Sequence, residues 1–191
     1  MEMPAGESCL LLSRNKQGNQ ALHEALINRR LQIVCSLIDD MRCCFPLLLM
    51  NGELGKSPLY LAVEADAAQI VRLMIDKAKA SHQSGGLSLD YDNDGVKSPL
   101  YAAISLKNIG ILKDLMEFKP GSTRVRDKEG RTPLHWAASL GFVPEILYLL
   151  NKCRSVALIQ DKHGLYPLHL ASARGHLKAV QYISASLYST S

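Results

Sequence analysis

The sequence predicts an all-α fold, a solenoid of about five helix–turn–helix repeats. Three observations predict it. The stretch Thr132-Pro133-Leu134-His135-Trp136-Ala137-Ala138 returns 34 residues later as Tyr166-Pro167-Leu168-His169-Leu170-Ala171-Ser172. The same frame occurs earlier, with more drift, at Gln20-Ala21-Leu22-His23-Glu24-Ala25, Ser57-Pro58-Leu59-Tyr60-Leu61-Ala62 and Ser98-Pro99-Leu100-Tyr101-Ala102-Ala103, at steps of 37, 41 and 34. Each copy is followed by a second apolar stripe at helical spacing. A recurring unit of this size is too small to bury its own apolar face, so neighbouring units must supply the core.

Taken in order, residues 1–14 read as a remnant of a preceding repeat or an N-terminal tail, because Cys9-Leu10-Leu11-Leu12 resembles the end of a second helix. The repeat domain spans 15–183, with repeats near 15–50, 51–91, 92–126, 127–160 and 161–183, and 184–191 form a Ser-rich tail. Each repeat opens with a loop. Asp127-Lys128-Glu129-Gly130 and Asp161-Lys162-His163-Gly164 combine an Asp, which accepts hydrogen bonds locally, with a Gly that adopts backbone angles closed to side chains. Thr132, Ser57 and Ser98 can cap the free N–H groups of the first helix. The Pro that follows starts a helix at little cost. Gln20 and Tyr166 stand where the capping hydroxyl belongs, so those helices are expected to lose about 0.5–2 kcal/mol. His23, His135 and His169 are expected to bond the nearby backbone and tie loop to helix. Tyr60 and Tyr101 replace that His with a hydroxyl on a longer lever.

The second helices follow. Their core faces read as Leu31, Ile33, Val34, Leu37 and Ile38, then Ile70, Val71, Met74 and Ile75, then Ile111, Leu112, Leu115 and Met116, then Ile146, Leu147, Leu149 and Leu150. Leu177, Val180, Tyr182 and Ile183 begin a fifth. Cys35 falls on such a stripe and reads as core. The segment 78–90, with Ser81, Ser84, Gly85, Gly86 and Ser88, accounts for the long step of 41 and reads as a flexible inserted loop. Neither end shows the polar outer face that a terminal repeat requires, so the chain is expected to be a truncated or short product of a longer protein.

Composition excludes several classes. The net charge is +4 and the Lys and Arg are scattered, so nothing demands nucleic acid. The longest apolar stretches, Cys9–Leu12 and Phe45–Met50, fall far short of the roughly 18 residues of a membrane span. Glu2 and Glu7 without a basic lead do not read as a signal peptide, so the chain is expected in the cytoplasm. Five Cys without a C-x-x-C fit reduced thiols, and the adjacent Cys43 and Cys44 do not suit one metal. His163, His169 and His176 lie six and seven apart, which fits no familiar zinc spacing. His135 and Ser139 could share a helix face, but no third group orients them. Gly85-Gly86 lacks the Lys-Ser/Thr of a phosphate loop. No catalytic residue, metal or cofactor is therefore expected.

The period and the T-P-L-H-x-A pattern resemble the ankyrin repeat, over about Asn15 to Ile183. A narrower resemblance rests on Asn19-Gln20-Ala21-Leu22-His23-Glu24-Ala25, on Gly55-Lys56-Ser57-Pro58-Leu59-Tyr60-Leu61-Ala62-Val63, and on Ile159-Gln160-Asp161-Lys162-His163-Gly164 before Pro167-Leu168-His169-Leu170-Ala171. These segments look like the plant ankyrin-repeat membrane proteins of the accelerated-cell-death and salt-tolerance type. That resemblance implies a protein-interaction scaffold on the cytosolic side of a membrane, anchored by a C-terminal membrane domain that this chain lacks, with a role in defence and stress signalling. A targeting module of a larger enzyme or channel, or a non-functional fragment, are the other readings.

Partner-facing positions are sought at loop tips and the inner helix surface, where residues vary without disturbing the stack. They are Lys128, Glu129, Arg131, Ser139 and Leu140 in one repeat, and Lys162, His163, Leu165, Ala173 and Arg174 in the next. With Arg124 and Arg126 nearby, the patch leans basic. Trp136, the single Trp, is either partly buried framework or a partner contact.

Overall fold

The computed structural model describes residues 13–40, 56–82 and 98–188. All its regular structure there is helical, in five pairs: α1 (Ala21–Ile27) with α2 (Leu31–Asp40), α3 (Pro58–Glu64) with α4 (Ala68–His82), α5 (Pro99–Ser105) with α6 (Ile109–Phe118), α7 (Pro133–Leu140) with α8 (Val143–Lys152), and α9 (Pro167–Ala173) with α10 (Leu177–Tyr188). The 3-10 turns Pro120–Arg124 and Arg154–Leu158 follow α6 and α8. This is the expected all-α, ankyrin-type array of helix pairs. Contacts gather into two units, Met1–Tyr91 and Asp92–Ser191. In the first, α1 packs on α2 and α3, and α4 packs on α3 and α2. In the second, α5 packs on α6 and α7, α7 on α8 and α9, and α10 on α9 and α8. Within each unit every helix thus meets its own partner, and all but α6 also meet a counterpart in the adjacent pair, which is how short elements obtain a shared core.

The first helices are held at their starts as the sequence predicts. Ser57 Oγ accepts the Tyr60 N–H at 3.1 Å and Ser98 Oγ accepts the Leu100 N–H at 3.3 Å. In the His-containing repeats, Nδ1 of His23, His135 and His169 accepts the N–H of the residue three before it, at 3.3, 3.1 and 3.0 Å. Gln20 and Tyr166 therefore keep this local bond despite lacking a capping hydroxyl. Each first helix is followed within two residues by one with positive φ, namely Arg29, Asp66, Lys107, Gly141 and Gly175 at 53°, 54°, 57°, 65° and 73°. That left-handed residue reverses the chain into the second helix.

The second helices supply about half of the buried apolar residues. Val34, Ile38, Val71, Met74, Ile111, Leu112, Leu115, Ile146, Leu149 and Ile183 are no more than 1% exposed. Four expectations need correction. Leu31 and Ile33 are 47% and 53% exposed, because α2 packs only on α1 and α4 among the described elements. Leu147 is 37% exposed, on the outer side of α8. Cys35 is half-buried rather than core. The inserted loop starts later than 78, because α4 runs to His82 and Ala78 continues the stripe of Val71, Met74 and Ile75 at 1% exposure.

At the far end α10 continues through 184–188, which the sequence placed in a tail. The serines there turn their hydroxyls back onto the helix, Ser184 Oγ donating to Val180 O at 2.7 Å and Ser186 Oγ to Ile183 O at 2.6 Å, so they are not left unpaired inside it. Cys9–Leu12, Cys43, Cys44, Phe45–Met50, the remainder of the inserted loop, and Asp92 to Gly95 lie outside the described residues.

Candidate functional site

The loops ahead of α7 and α9 are built alike. Asp127 Oδ1 accepts the N–H groups of Glu129 and Arg131 at 2.9 and 2.8 Å, and Asp161 Oδ1 accepts those of His163 and Leu165 at 2.9 Å each. The main chain closes each loop, from Asp127 N to Arg131 O at 3.0 Å and from Asp161 N to Leu165 O at 2.9 Å. Both carboxylates are buried, and the bonds to His163 and Leu165 help hold the Asp161 carboxyl below its ordinary range against the opposing cost of burial. The recurring Asp residues are thus framework.

The two loops are also joined to each other. Lys162 N donates to Glu129 O at 2.9 Å, His163 Nε2 lies 3.1 Å from Glu129 Oε2, and Arg131 Nε lies 3.5 Å from Asp161 Oδ2. Behind them, Arg126 reaches Gln160 O at 3.4 Å and Arg124 reaches Ser155 Oγ at 2.8 Å. The basic residues ahead of α7 therefore partly serve the next repeat.

The candidate residues fall into two sets. Lys128, Glu129, Arg131, Lys162, His163 and Leu165 come together on the paired loops. Lys128, Glu129, Lys162 and His163 are exposed there, while Arg131 and Leu165 are half-buried. Ser139 and Leu140, both half-buried, and the exposed Ala173 and Arg174 lie at the other ends of α7 and α9. An eight-residue helix such as α7 separates the sets by about 12 Å at 1.5 Å per residue. The Ser139 carbonyl is engaged by His176 Nε2 at 3.0 Å, a bond across adjacent pairs.

Trp136 is framework: its indole N–H donates to Asp127 Oδ2 at 2.8 Å and its ring lies 5.6 Å from that of Tyr101. His135 is fully buried and uses both ring nitrogens. Nδ1 accepts the Thr132 N–H, so Nε2 carries the proton and donates to Leu165 O at 3.0 Å. Burial pushes its pKa down, although the Leu165 bond opposes this. Tyr101, one repeat earlier, does the same with its hydroxyl, which is 2.9 Å from Arg131 O and 3.1 Å from Val125 O.

Two features escaped the sequence. A groove of about 320 Å³ in the first unit is lined by Leu26, Ile27, Arg29, Lys56, Leu61 and Glu64 among others, with Lys56 Nζ 2.8 Å from both Glu64 oxygens. It forms where the buried Leu26 and exposed Ile27 of α1 meet the buried Leu61 of α3, a property of packing that no motif announces. Glu145 is the other: it is fully buried, with its pKa pushed up to about 7 chiefly by that burial. A polar residue in a column of apolar ones was its available signal. Among the described residues no group of three His, Cys, Asp or Glu could hold a metal ion, and no helix is long and apolar enough to cross a membrane. The ionisable groups drawn together at the loops hold backbone and each other.

Comparison with known proteins agrees with this architecture. A family model described as ankyrin repeats (3 copies) matches residues 100–189. Protein ACCELERATED CELL DEATH 6 of Arabidopsis thaliana is 27% identical over 145 residues, 73% of this chain and 21% of that protein. Neurogenic locus notch homolog protein 1 of Homo sapiens is 29% identical over 102 residues, 53% of this chain and 4% of that protein. NAD-dependent deacetylase sir2B of Dictyostelium discoideum is 28% identical over 148 residues, 74% of this chain and 19% of that protein. The chain thus spans about a fifth or less of the length of these relatives. The chain has an ankyrin-repeat-like array of helix pairs, is distantly similar to a plant protein of the accelerated-cell-death type, and carries a protein-interaction module typical of ankyrin repeats.

Proposed function

We propose that the chain docks a protein partner through the paired loops ahead of α7 and α9, and that it is the cytosolic docking part of a plant membrane-associated protein of defence or stress signalling. The observation that carries the docking reading is the cross-bonding of the two loops. Glu129, His163, Arg131 and Asp161 fix one loop on the other, so Lys128 and Lys162 are presented from a braced platform. A surface that is already ordered gives up less conformational freedom on binding. Ser139, Leu140, Ala173 and Arg174 would extend the contact along the first helices. The plant context is supported by the match to Protein ACCELERATED CELL DEATH 6 over 73% of this chain.

The test begins with capture of partners from plant tissue by this chain, followed by direct binding of each purified partner. Lys128→Glu with Lys162→Glu, which leaves the bracing residues in place, should weaken a loop-docked partner by about tenfold or more. Unchanged affinity for every captured partner would defeat the loop reading. A second reading, a targeting module of a larger enzyme, is favoured by the match to an NAD-dependent deacetylase over 74% of this chain. The parent transcript separates the two: apolar spans of about 20 residues support the membrane reading, and an enzyme domain the other.

A further inference from the structure

Glu145 stands on α8 four residues after the turn residue Gly141, the position held by Ile33, Ile70, Ile111 and Ala179 after Arg29, Asp66, Lys107 and Gly175 in the other pairs; Ile33, in the first pair, is 53% exposed, and the remaining three face inward. Those three are 5%, 0% and 1% exposed, and Glu145 is 0% exposed. An acid has therefore been placed in an inward apolar column. Neither carboxyl oxygen finds a partner on another residue. A buried carboxylate without a partner is far more costly than the neutral acid, so the site favours the proton.

We propose that Glu145 is a proton-controlled latch on the last two helix pairs: as the neutral acid it lets α8 seat against α7 and α10, and as the carboxylate it loosens that seat. The proposal does not depend on which partner the loops bind. The charged and titratable groups around it are few. Lys107, in the turn before α6, is the one charge acting on the Glu145 carboxyl among the described residues, and it acts less than burial does. Lys107 Nζ also lies 5.8 Å from the Phe142 ring, at the start of α8. Of the elements packed on α8, α7 carries His135, α10 carries Lys178, Tyr182 and Tyr188 with His176 just before it, and the turn after α8 carries Arg154. On α6, Lys113 lies 5.7 Å from the Tyr148 ring, and Asp114 and Glu117 act on Tyr148 rather than on Glu145.

The direction follows from linkage. An acid whose proton is held more tightly in the folded state stabilises that state at low pH. The stability is lost as pH rises from the ordinary Glu range toward about 7, and the loss is complete above it. His135 works the other way, since burial pushes its pKa down and the fold weakens when it must accept a proton. The Glu145 contribution is thus the difference between the native chain and a variant that cannot titrate there.

The experiment is hydrogen exchange of the whole chain at pH 5 and pH 8, read as protection factors for α8, α9 and α10, which removes the intrinsic pH dependence of exchange. From pH 5 to pH 8 the native chain should lose protection there by on the order of tenfold or more relative to Glu145→Ile, since each pKa unit is a tenfold change in the protonation equilibrium. Glu145→Gln, which keeps the shape and should fold if Glu145→Ile does not, should also remove the pH-dependent loss. Parallel pH profiles in the native chain and either folded variant would overturn the proposal, as would lower protection in Glu145→Ile than in the native chain at pH 8.

Discussion

His135 and Tyr101 show how one side chain can join two repeats. Each lies on the first turn of its helix and reaches the carbonyl 30 residues ahead, Leu165 O for His135 at 3.0 Å and Arg131 O for Tyr101 at 2.9 Å. The Tyr is no decayed copy of the His; it keeps the inter-repeat bond. Tyr101→Phe should therefore cost about 1 kcal/mol, the net value of a hydrogen bond, read as a shift in urea midpoint. His135→Ala removes bonds at both ring nitrogens and leaves a cavity in a fully buried site, so a loss of about 2–4 kcal/mol is expected. The pH dependence has a fixed sign. Because burial lowers the His135 pKa, the stability it supports is present above the ordinary His range of about 6.5 and is lost as pH falls below it. His135→Gln, which has no such titration, should show a smaller fall in urea midpoint from pH 7 to pH 5 than the native chain. An equal fall in both would place the acid sensitivity elsewhere.

The helix pairs differ most at the turns that join their members. The fourth and fifth use Gly141 and Gly175, whereas the first three place Arg29, Asp66 and Lys107 in the left-handed region. Side chains other than Asn and Asp pay about 1–2 kcal/mol there, so Arg29→Gly should raise stability by about 0.5–1 kcal/mol, measured by thermal or urea unfolding, after the entropy of Gly is counted. Asp66→Gly should gain less, because Asp tolerates this region. The reverse change, Gly141→Ala, should destabilise the last two pairs, since the new Cβ would run into the His176 ring as well as adopt the wrong region. What was legible in the sequence follows the same lines. The motif copies located all five first helices, because Pro, the capping residue and His act locally. The second helices were legible as stripes, but not which positions are buried. Ile33 and Ile70 read alike in sequence, yet the first is 53% exposed and the second 5%, since burial depends on the neighbouring pair. The paired loops were found through Asp127, Gly130, Asp161 and Gly164. Their cross-bonding was not, because Glu129 and His163 become partners only once two repeats lie side by side.

For the molecule as a whole, the decisive property is that stability is assembled from neighbours. Within the unit Asp92–Ser191, α10 meets α9, α8 and the 3-10 turn Arg154–Leu158, but makes no comparable contact with α5 or α6. Damage to α10 should therefore stay near it instead of spreading evenly, as it would in a globule with one shared core. Ile183 is the side chain to remove, being fully buried on α10 and aligned in repeat register with Leu149 on α8. Ile183→Ala should cost about 2–4 kcal/mol, the usual range for emptying such a site. Hydrogen exchange would then show α9 and α10 opening first, α7 and α8 less, and α5 and α6 close to their native protection. The paired loops sit between those regimes, because the loop of 161–165 rides on the last pair and leans on Glu129 and Arg131 of the one before. A partner gripping both loops would stabilise the junction and restore protection to α9, whereas one touching Lys128 alone would not. Uniform loss of protection from α5 to α10 in Ile183→Ala would show that the unit unfolds as one body, and the stepwise account of its stability would have to be abandoned.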